Sequence, residues 1–183
     1  MKVAAQRRVL VMGGQRSGKS RYAEELVRAR GGSPVYVATG IAGDGEMTER
    51  IAAHQARRGP AWRTVEETIA LGEAIARESG EGFPILVDCL TLWVANLLAA
   101  DADVGAALDR LCEALAEAPG DITLVSGEVG LGVIPDNALA RRYADALGLV
   151  NQRVAAVADR VVLVAAGLPL VLKSEPMLGE VSI

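Results

Sequence analysis

Apolar positions along the chain fall in short, near-continuous runs, separated by longer stretches in which they recur at helical intervals. Val9-Leu10-Val11-Met12 is the first run, and it reads as a strand buried on both faces. Pro34–Ala38, Pro84–Asp88 and Ile122–Ser126 repeat that signature, and Trp62–Val65 makes a shorter version of it. Between them Ser20–Arg30, Glu46–Arg58, Ile69–Glu78, Leu92–Ala100, Val104–Ala118 and Ala138–Ala158 are rich in Ala, Leu, Glu and Arg and are predicted as helices. Gly31-Gly32, Gly59-Pro60, Gly80 and Gly82 supply the stops, and a break is expected near Gly148 in the last helix. Val161–Val164 and Leu168–Leu172, on either side of Gly167, read as a terminal hairpin. Alternation of strand and helix predicts a mostly parallel sheet with helices on both faces. No repeat, low-complexity tract or Ser/Pro-rich linker divides the chain. Residues 1–175 are therefore expected as one domain, with 176–183 as a disordered tail.

Composition narrows the picture. The chain has 183 residues, 51% hydrophobic but only 3% aromatic, so its core must be aliphatic. A net charge of -4 and a pI near 5.1 give no general basic face, which argues against nucleic acid as a partner. No apolar run approaches the ~20 residues of a membrane span, and the polar start of the chain lacks the apolar stretch of a signal peptide. The expected location is the cytoplasm. Cys89 and Cys112 are too few for a zinc site or a disulfide framework, and they read as reduced, buried thiols.

The strongest chemical signal is Gly13-Gly14-Gln15-Arg16-Ser17-Gly18-Lys19-Ser20, which fits the P-loop pattern G-x-x-x-x-G-K-[ST]. A predicted strand precedes it and a predicted helix follows, as the mechanism requires. Glycines let the backbone wrap so that its N–H groups point at phosphate oxygens, and the helix adds its positive N-terminal end. Lys19 is placed to reach the β- and γ-phosphates, and the Ser20 hydroxyl to ligate Mg²⁺. With the strand–helix alternation, this predicts a P-loop NTPase-like (RecA-like) three-layer α/β sandwich whose mostly parallel sheet ends in a C-terminal antiparallel hairpin. Asp88 closes the Ile85–Asp88 strand in the layout of a second magnesium handle. It could hold the metal through water or act as base for an acceptor hydroxyl; capping the following helix is the bland alternative.

The one histidine, His54, lies in Glu46–Arg58 with Glu46, Arg50 and Arg58 at four-residue spacing and Arg57 alongside. Neighbouring guanidinium groups lower an imidazole pKa and favour its neutral, nucleophilic form. A solvated surface helix with an incidental histidine is the plain alternative.

Further motifs accompany these: Tyr36-Val37-Ala38-Thr39, Glu46-Met47-x-x-Arg50-Ile51-x-x-His54, Trp62-Arg63-Thr64-x-Glu66, Ser126-Gly127-Glu128-Val129-Gly130-x-Gly132-x-x-Pro135 and Asn151-Gln152-Arg153. In this order, from about Val9 to Lys173, the chain resembles the bifunctional adenosylcobinamide kinase / adenosylcobinamide-phosphate guanylyltransferases of cobalamin biosynthesis. The resemblance implies that a nucleoside triphosphate, ATP or GTP, phosphorylates adenosylcobinamide. GMP then passes from GTP through a histidine to adenosylcobinamide phosphate, giving adenosylcobinamide-GDP and pyrophosphate. His54 matches the carrier, and Ala53 stands where some relatives have a second histidine. The resemblance also places Ala38, Thr39, Gly40, Gln55, Ala56, Arg57, Arg58, Glu66 and Asp88 near the nucleotide, with Lys19 and Asp88 catalytic. Some relatives carry Glu in place of Asp88, whose shorter reach leaves its role open. A homotrimer is implied as well. Two rivals stand beside this reading. One is a P-loop small-molecule kinase without guanylyl transfer, in which His54 and its arginines clamp substrate phosphates. The other is a non-enzymatic nucleotide-dependent switch.

Overall fold

The computed structural model describes residues 8–40, 59 and 61–174. Along them run β1 (Arg8–Gly13), α1 (Lys19–Arg28), β2 (Val35–Ala38), β3 (Arg63–Glu66) and α2 (Leu71–Glu78), which tightens into a 3-10 turn over Ser79–Glu81. There follow β4 (Ile85–Asp88), α3 (Leu90–Ala99), α4 (Val104–Glu117), β5 (Ile122–Gly127), α5 (Ala138–Val157), β6 (Arg160–Ala165) and β7 (Leu168–Lys173). The strands form one seven-stranded sheet in the order β3-β2-β4-β5-β1-β6-β7. All neighbours are parallel except β6 and β7, which make the expected antiparallel hairpin.

Side-chain alternation along the buried strands divides the core between the two faces. Val9, Val11, Leu86, Val125, Val162 and Val164 pack under Ala23 and Val27 of α1, with Tyr36 and Trp62. On the opposite face Leu10, Val37, Ile85, Val87 and Leu124 meet residues of α2 to α5, among them Leu71, Ile75, Trp93, Leu97, Leu108, Leu111 and Val150. Most of these side chains are fully buried, each contributing about 1.5–3 kcal/mol relative to exposure. Helices thus cover both faces, and the three-layer architecture read from the sequence is the one observed. Arg8 is buried against the end of α4. Its guanidinium donates to the carbonyls of Leu115 and Ala118, where a cation also complements the negative end of the helix dipole.

Three expectations need correction. The helix Ala138–Val157 runs unbroken through Gly148, because Leu147 and Val150 on either side are fully buried and hold it to the sheet. The helix expected from Ile69 starts at Leu71 instead. The Glu67 carboxylate accepts from the N–H groups of Ile69 and Ala70 at 2.9 and 2.7 Å, which satisfies them outside the helix. Cys89 and Cys112 are both free; the Cys112 side chain is half-buried rather than buried, whereas the Cys89 thiol is buried as expected. The expected tail, residues 176–183, lies outside the described residues.

Glu78 ties edge strand β3 to the end of α2 through Arg63 at 2.5 Å and Arg77 at 2.9 Å. Burial raises its pKa, but hydrogen bonds from Arg63 and Arg77 outweigh this and hold the carboxyl below its ordinary value. A depressed carboxylate pKa contributes stability above the ordinary carboxylate range, and that contribution is lost as the pH falls through the folded value. Glu78→Gln is therefore expected to melt at a lower temperature than the wild type at neutral pH. Thermal melts taken at successively lower pH should bring the two proteins together; a gap that persists in acid would deny the ion pairs their role.

Candidate functional site

The loop between β1 and α1 is shaped by two backbone requirements. Gly13 is buried, and a Cβ there would stand 2.4 Å from Ser17 Oγ and 2.5 Å from the Val164 carbonyl oxygen of β6. Gly18 has φ +96°, a left-handed conformation that L side chains rarely adopt. Neighbouring strands pin the loop at both ends. Glu128 N–H donates to the Gly13 carbonyl at 3.1 Å, and Gly167 N–H, from the β6–β7 turn, donates to the Ser17 carbonyl at 2.9 Å. Gln15 and Arg16 stand exposed at the tip. α1 then opens with no side-chain cap, unlike α4 and α5, which Asp103 and Asn137 cap, and its first turn carries no acidic residue. Its N-terminal N–H groups and positive dipole end stay available to an anion. Lys19 Nζ reaches back to donate to the Gly14 carbonyl at 3.1 Å, which sets the ammonium across the loop.

Asp88 faces this loop from β4, beyond the intervening strand β5. Its Oδ1 lies 3.5 Å from Ser20 Oγ. That is long for a direct O–H···O bond. It suits two hard oxygen donors that would share one small cation. Its Oδ2 accepts from the Tyr36 hydroxyl at 3.0 Å. The Tyr36 ring is in turn set edge-on against Trp62 at 6.4 Å between centroids, and Arg28 lies over Trp62. No group of three or more His, Cys, Asp and Glu side chains able to hold a metal exists among the described residues. A cation at Ser20 and Asp88 would take phosphate and water oxygens among its further ligands, as Mg²⁺ commonly does.

Thr39 braces the chain just past Asp88. Fully buried, it donates from Oγ1 to the Cys89 carbonyl at 2.7 Å and accepts from Cys89 N–H at 2.8 Å. Asn96 Nδ2 holds the Thr39 carbonyl at 2.7 Å. Behind the loop, Gly127 N–H donates to Thr91 Oγ1 at 2.6 Å, and Asn151 Nδ2 donates to the Gly127 carbonyl at 3.1 Å. Asn151 Oδ1 also accepts from Ser126 Oγ at 2.6 Å. Burial and the nearby Asp88 charge push the Cys89 thiol up, so it is no thiolate nucleophile at neutral pH.

Register relates the other candidates. Glu66, Ala38 and Asp88 form one row across β3, β2 and β4, so Glu66 lies on the same sheet face about 10 Å from Asp88. Glu66 is exposed, and Gly40 follows Thr39 at the edge of the site. Gly13 to Ser20, Ala38, Thr39 and Asp88 are thus gathered at the carboxyl ends of the strands, with Glu66 at the margin. His54, Gln55, Ala56, Arg57 and Arg58 lie outside the described residues. Sequence reasoning assigned no role to the Tyr36 hydroxyl or to Asn151, although both stand in the quoted motifs. Tyr36 precedes Ala38 by two residues on a strand, hence on the same face as Asp88, and that spacing was the available signal.

The family described as cobinamide kinase / cobinamide phosphate guanyltransferase matches residues 9–172. The chain is 49% identical over 172 residues to the bifunctional adenosylcobalamin biosynthesis protein CobP of Pseudomonas aeruginosa, covering 93% of this chain and 99% of that protein. It is 40% identical over 182 residues to the bifunctional adenosylcobalamin biosynthesis protein CobU of Salmonella typhimurium, with 90% and 99% covered. Among solved structures, the flagellar accessory protein FlaH of Methanocaldococcus jannaschii superposes with a TM-score of 0.52 at 14% identity, covering 93% of this chain and 79% of that one. That likeness is one of fold.

Removing the Tyr36 hydroxyl takes one hydrogen bond from Asp88 Oδ2 while the ring stays packed. Tyr36→Phe should lower nucleotide turnover about tenfold, the order of one hydrogen bond to a charged group. Its metal-free nucleotide affinity should match the wild type. Titration of a fluorescent nucleotide beside steady-state turnover separates the two; unchanged turnover would mean that Asp88 needs no orientation.

Proposed function

The chain belongs to the cobinamide kinase / cobinamide phosphate guanyltransferase family, and on that footing we propose that one phosphate cradle serves two successive transfers. In the first, a nucleoside triphosphate phosphorylates the hydroxyl of the aminopropanol arm of adenosylcobinamide. In the second, GTP donates GMP to that phosphate, giving adenosylcobinamide-GDP and pyrophosphate. The observation that carries the reading is the Gly13–Ser20 loop facing Asp88 across β5, in a chain that matches the family over residues 9–172.

Ser20 Oγ and Asp88 Oδ1 fit a Mg²⁺ ion held directly or through water, with nucleotide oxygens completing its shell. When bound, the ion supplies charge neutralisation at the β- and γ-phosphates. The chain's own groups do the rest. Loop N–H groups and the start of α1 hold the phosphates in line. Lys19 swings from the Gly14 carbonyl onto the β,γ-bridge, where its charge stabilises the transition state by several kcal/mol. In the kinase step the acceptor hydroxyl oxygen bonds to the γ-phosphorus as the bond to the leaving diphosphate breaks, and the hydroxyl proton is lost to solvent. Asp88 has one oxygen on Tyr36 and the other toward Ser20, which favours the role of metal handle over that of base.

Guanylyl transfer needs a different nucleophile, because the acceptor phosphate attacks another anion poorly. A neutral His54 imidazole avoids that repulsion. Its nitrogen bonds to the α-phosphorus as pyrophosphate leaves. An oxygen of the acceptor phosphate then attacks the same phosphorus, the P–N bond breaks, and the ring departs protonated. Arg57 and Arg58, its neighbours in sequence, supply positive charge for both phosphates.

Two further expectations find support. Edge strand β7 presents Leu168, Leu170, Val171 and Leu172 exposed. Beside it runs a groove of about 370 Å³ lined by Met12, Glu128, Gly148, Asn151 and Lys173 among others. A long apolar sheet edge of this kind calls for a partner, which supports a homo-oligomer, a trimer by family resemblance. The two free cysteines suit the reducing cytoplasm, and among the described residues no helix is long and apolar enough to cross a membrane.

The decisive experiment uses α-labelled GTP without acceptor. Wild-type protein should release pyrophosphate and keep GMP in an acid-labile, base-stable bond. His54→Asn should lose the label and the second reaction yet keep the kinase step. Formation of adenosylcobinamide-GDP by His54→Asn at a rate near that of the wild type would show direct transfer and sink the histidine mechanism.

A further inference from the structure

The motif that begins at Ser126 extends past the site described above. Ser126 and Gly127 end β5, the strand between the phosphate loop and Asp88; Glu128 to Asp136 then run on before Asn137 caps α5. This connection is well anchored. Glu128 N–H is bonded to Gly13, and the Glu128 carboxylate accepts from Gly130 N–H at 2.6 Å. At the far end, Arg141 Nη1 donates to the carbonyls of Pro135 and Asp136 at 2.9 and 2.6 Å. Yet its side chains are not those of an ordinary surface loop. Leu131, Val133 and Ile134 are 86%, 96% and 81% exposed, and Val129 and Leu139 flank them at 45% and 65%. Anchored backbone and unburied aliphatic side chains together mark a surface kept for a ligand.

Three considerations fix what that ligand is. The platform is continuous in chain with the phosphate loop through the Glu128–Gly13 bond, so it adjoins the cradle. Nucleotide phosphates are polar and claimed by the loop, so they have no use for an aliphatic surface. The five apolar side chains are few and adjacent along the chain, which suits the face of one large macrocycle. We propose that Leu131, Val133 and Ile134 form the platform on which the corrin macrocycle of the acceptor rests, leaving its aminopropanol arm to reach toward the cradle. The proposal rests on the reading that adenosylcobinamide is the acceptor, and it names the residues that receive it.

The test is the triple variant Leu131→Ser, Val133→Ser, Ile134→Ser, assayed in the kinase step with adenosylcobinamide varied and nucleotide saturating. The KM for adenosylcobinamide should rise about 10- to 100-fold, the effect of losing contact with two or three aliphatic side chains. Labelling by α-labelled GTP alone, the melting temperature and the sedimentation behaviour should match the wild type, since these side chains are solvent-exposed. The conservative triple Leu131→Met, Val133→Ile, Ile134→Leu should restore the acceptor KM, which a mere solubility effect would not explain. A wild-type acceptor KM in the serine triple would overturn the platform. A raised KM that appears only together with dissociation of the oligomer would overturn it too, and would make the face a contact between copies. Failure of the wild-type protein to phosphorylate adenosylcobinamide at all would remove the reading underneath, an outcome visible before any variant is made.

Discussion

The arrangement hangs on a place where a side chain cannot go. Gly13 ends the first strand so close to the Val164 carbonyl of β6 that no Cβ fits. A phosphate loop must keep its N–H groups directed at a common centre rather than let them bond elsewhere, and a short glycine-rich segment has little stiffness of its own. Here the stiffness comes from the neighbours. β6 crowds Gly13 from one side, Glu128 after β5 holds its carbonyl from the other, and the hairpin turn at Gly167 holds Ser17. The loop is the upper edge of a packed sheet rather than an independent turn.

Placing β5 between the loop strand and β4 has a chemical consequence. It moves Asp88 two strand spacings, about 10 Å, from β1, too far to meet the loop itself. Only the first turn of α1, which crosses back over β5 and β4, brings Ser20 within 3.5 Å of that carboxylate. Packing of Ala23 and Val27 on Val125 and Leu86 thus fixes the separation of the two candidate metal ligands. Tyr36 and Thr39 from β2 then trim the geometry, one at the carboxylate and one at the backbone beyond it. The same end of the sheet carries the anchored apolar connection, so polar cradle and aliphatic platform share one rim.

How much of this was legible follows from the range of each interaction. The phosphate loop is a local pattern, eight consecutive residues between a strand and a helix, and Asp88 closes an unmistakable apolar run. The parallel sheet and its final hairpin followed from the alternation of runs. Tyr36 to Asp88 and Thr39 to Cys89 span about fifty residues, and only strand register brings them together. The late start of α2 turned on one carboxylate, Glu67, whose capping bonds no periodicity displays. The helix passes Gly148 for a related reason, since burial of its neighbours overrides a weak local propensity. For Leu131, Val133 and Ile134 it is their solvent exposure in the folded chain that sets them apart.

The central claim is that one cradle, held rigid by its neighbouring strands, serves both γ- and α-phosphate chemistry. Gly13→Ala tests it most directly, because it adds a single methyl group where Val164 leaves no room and removes no functional group. Kinase and guanylyl-transfer rates should be measured separately on the same folded preparation, with circular dichroism to check that the fold persists. The account predicts that both rates fall together, by about tenfold or more, as the loop is pushed off its geometry. Loss of one activity with the other at its wild-type rate would contradict the shared cradle.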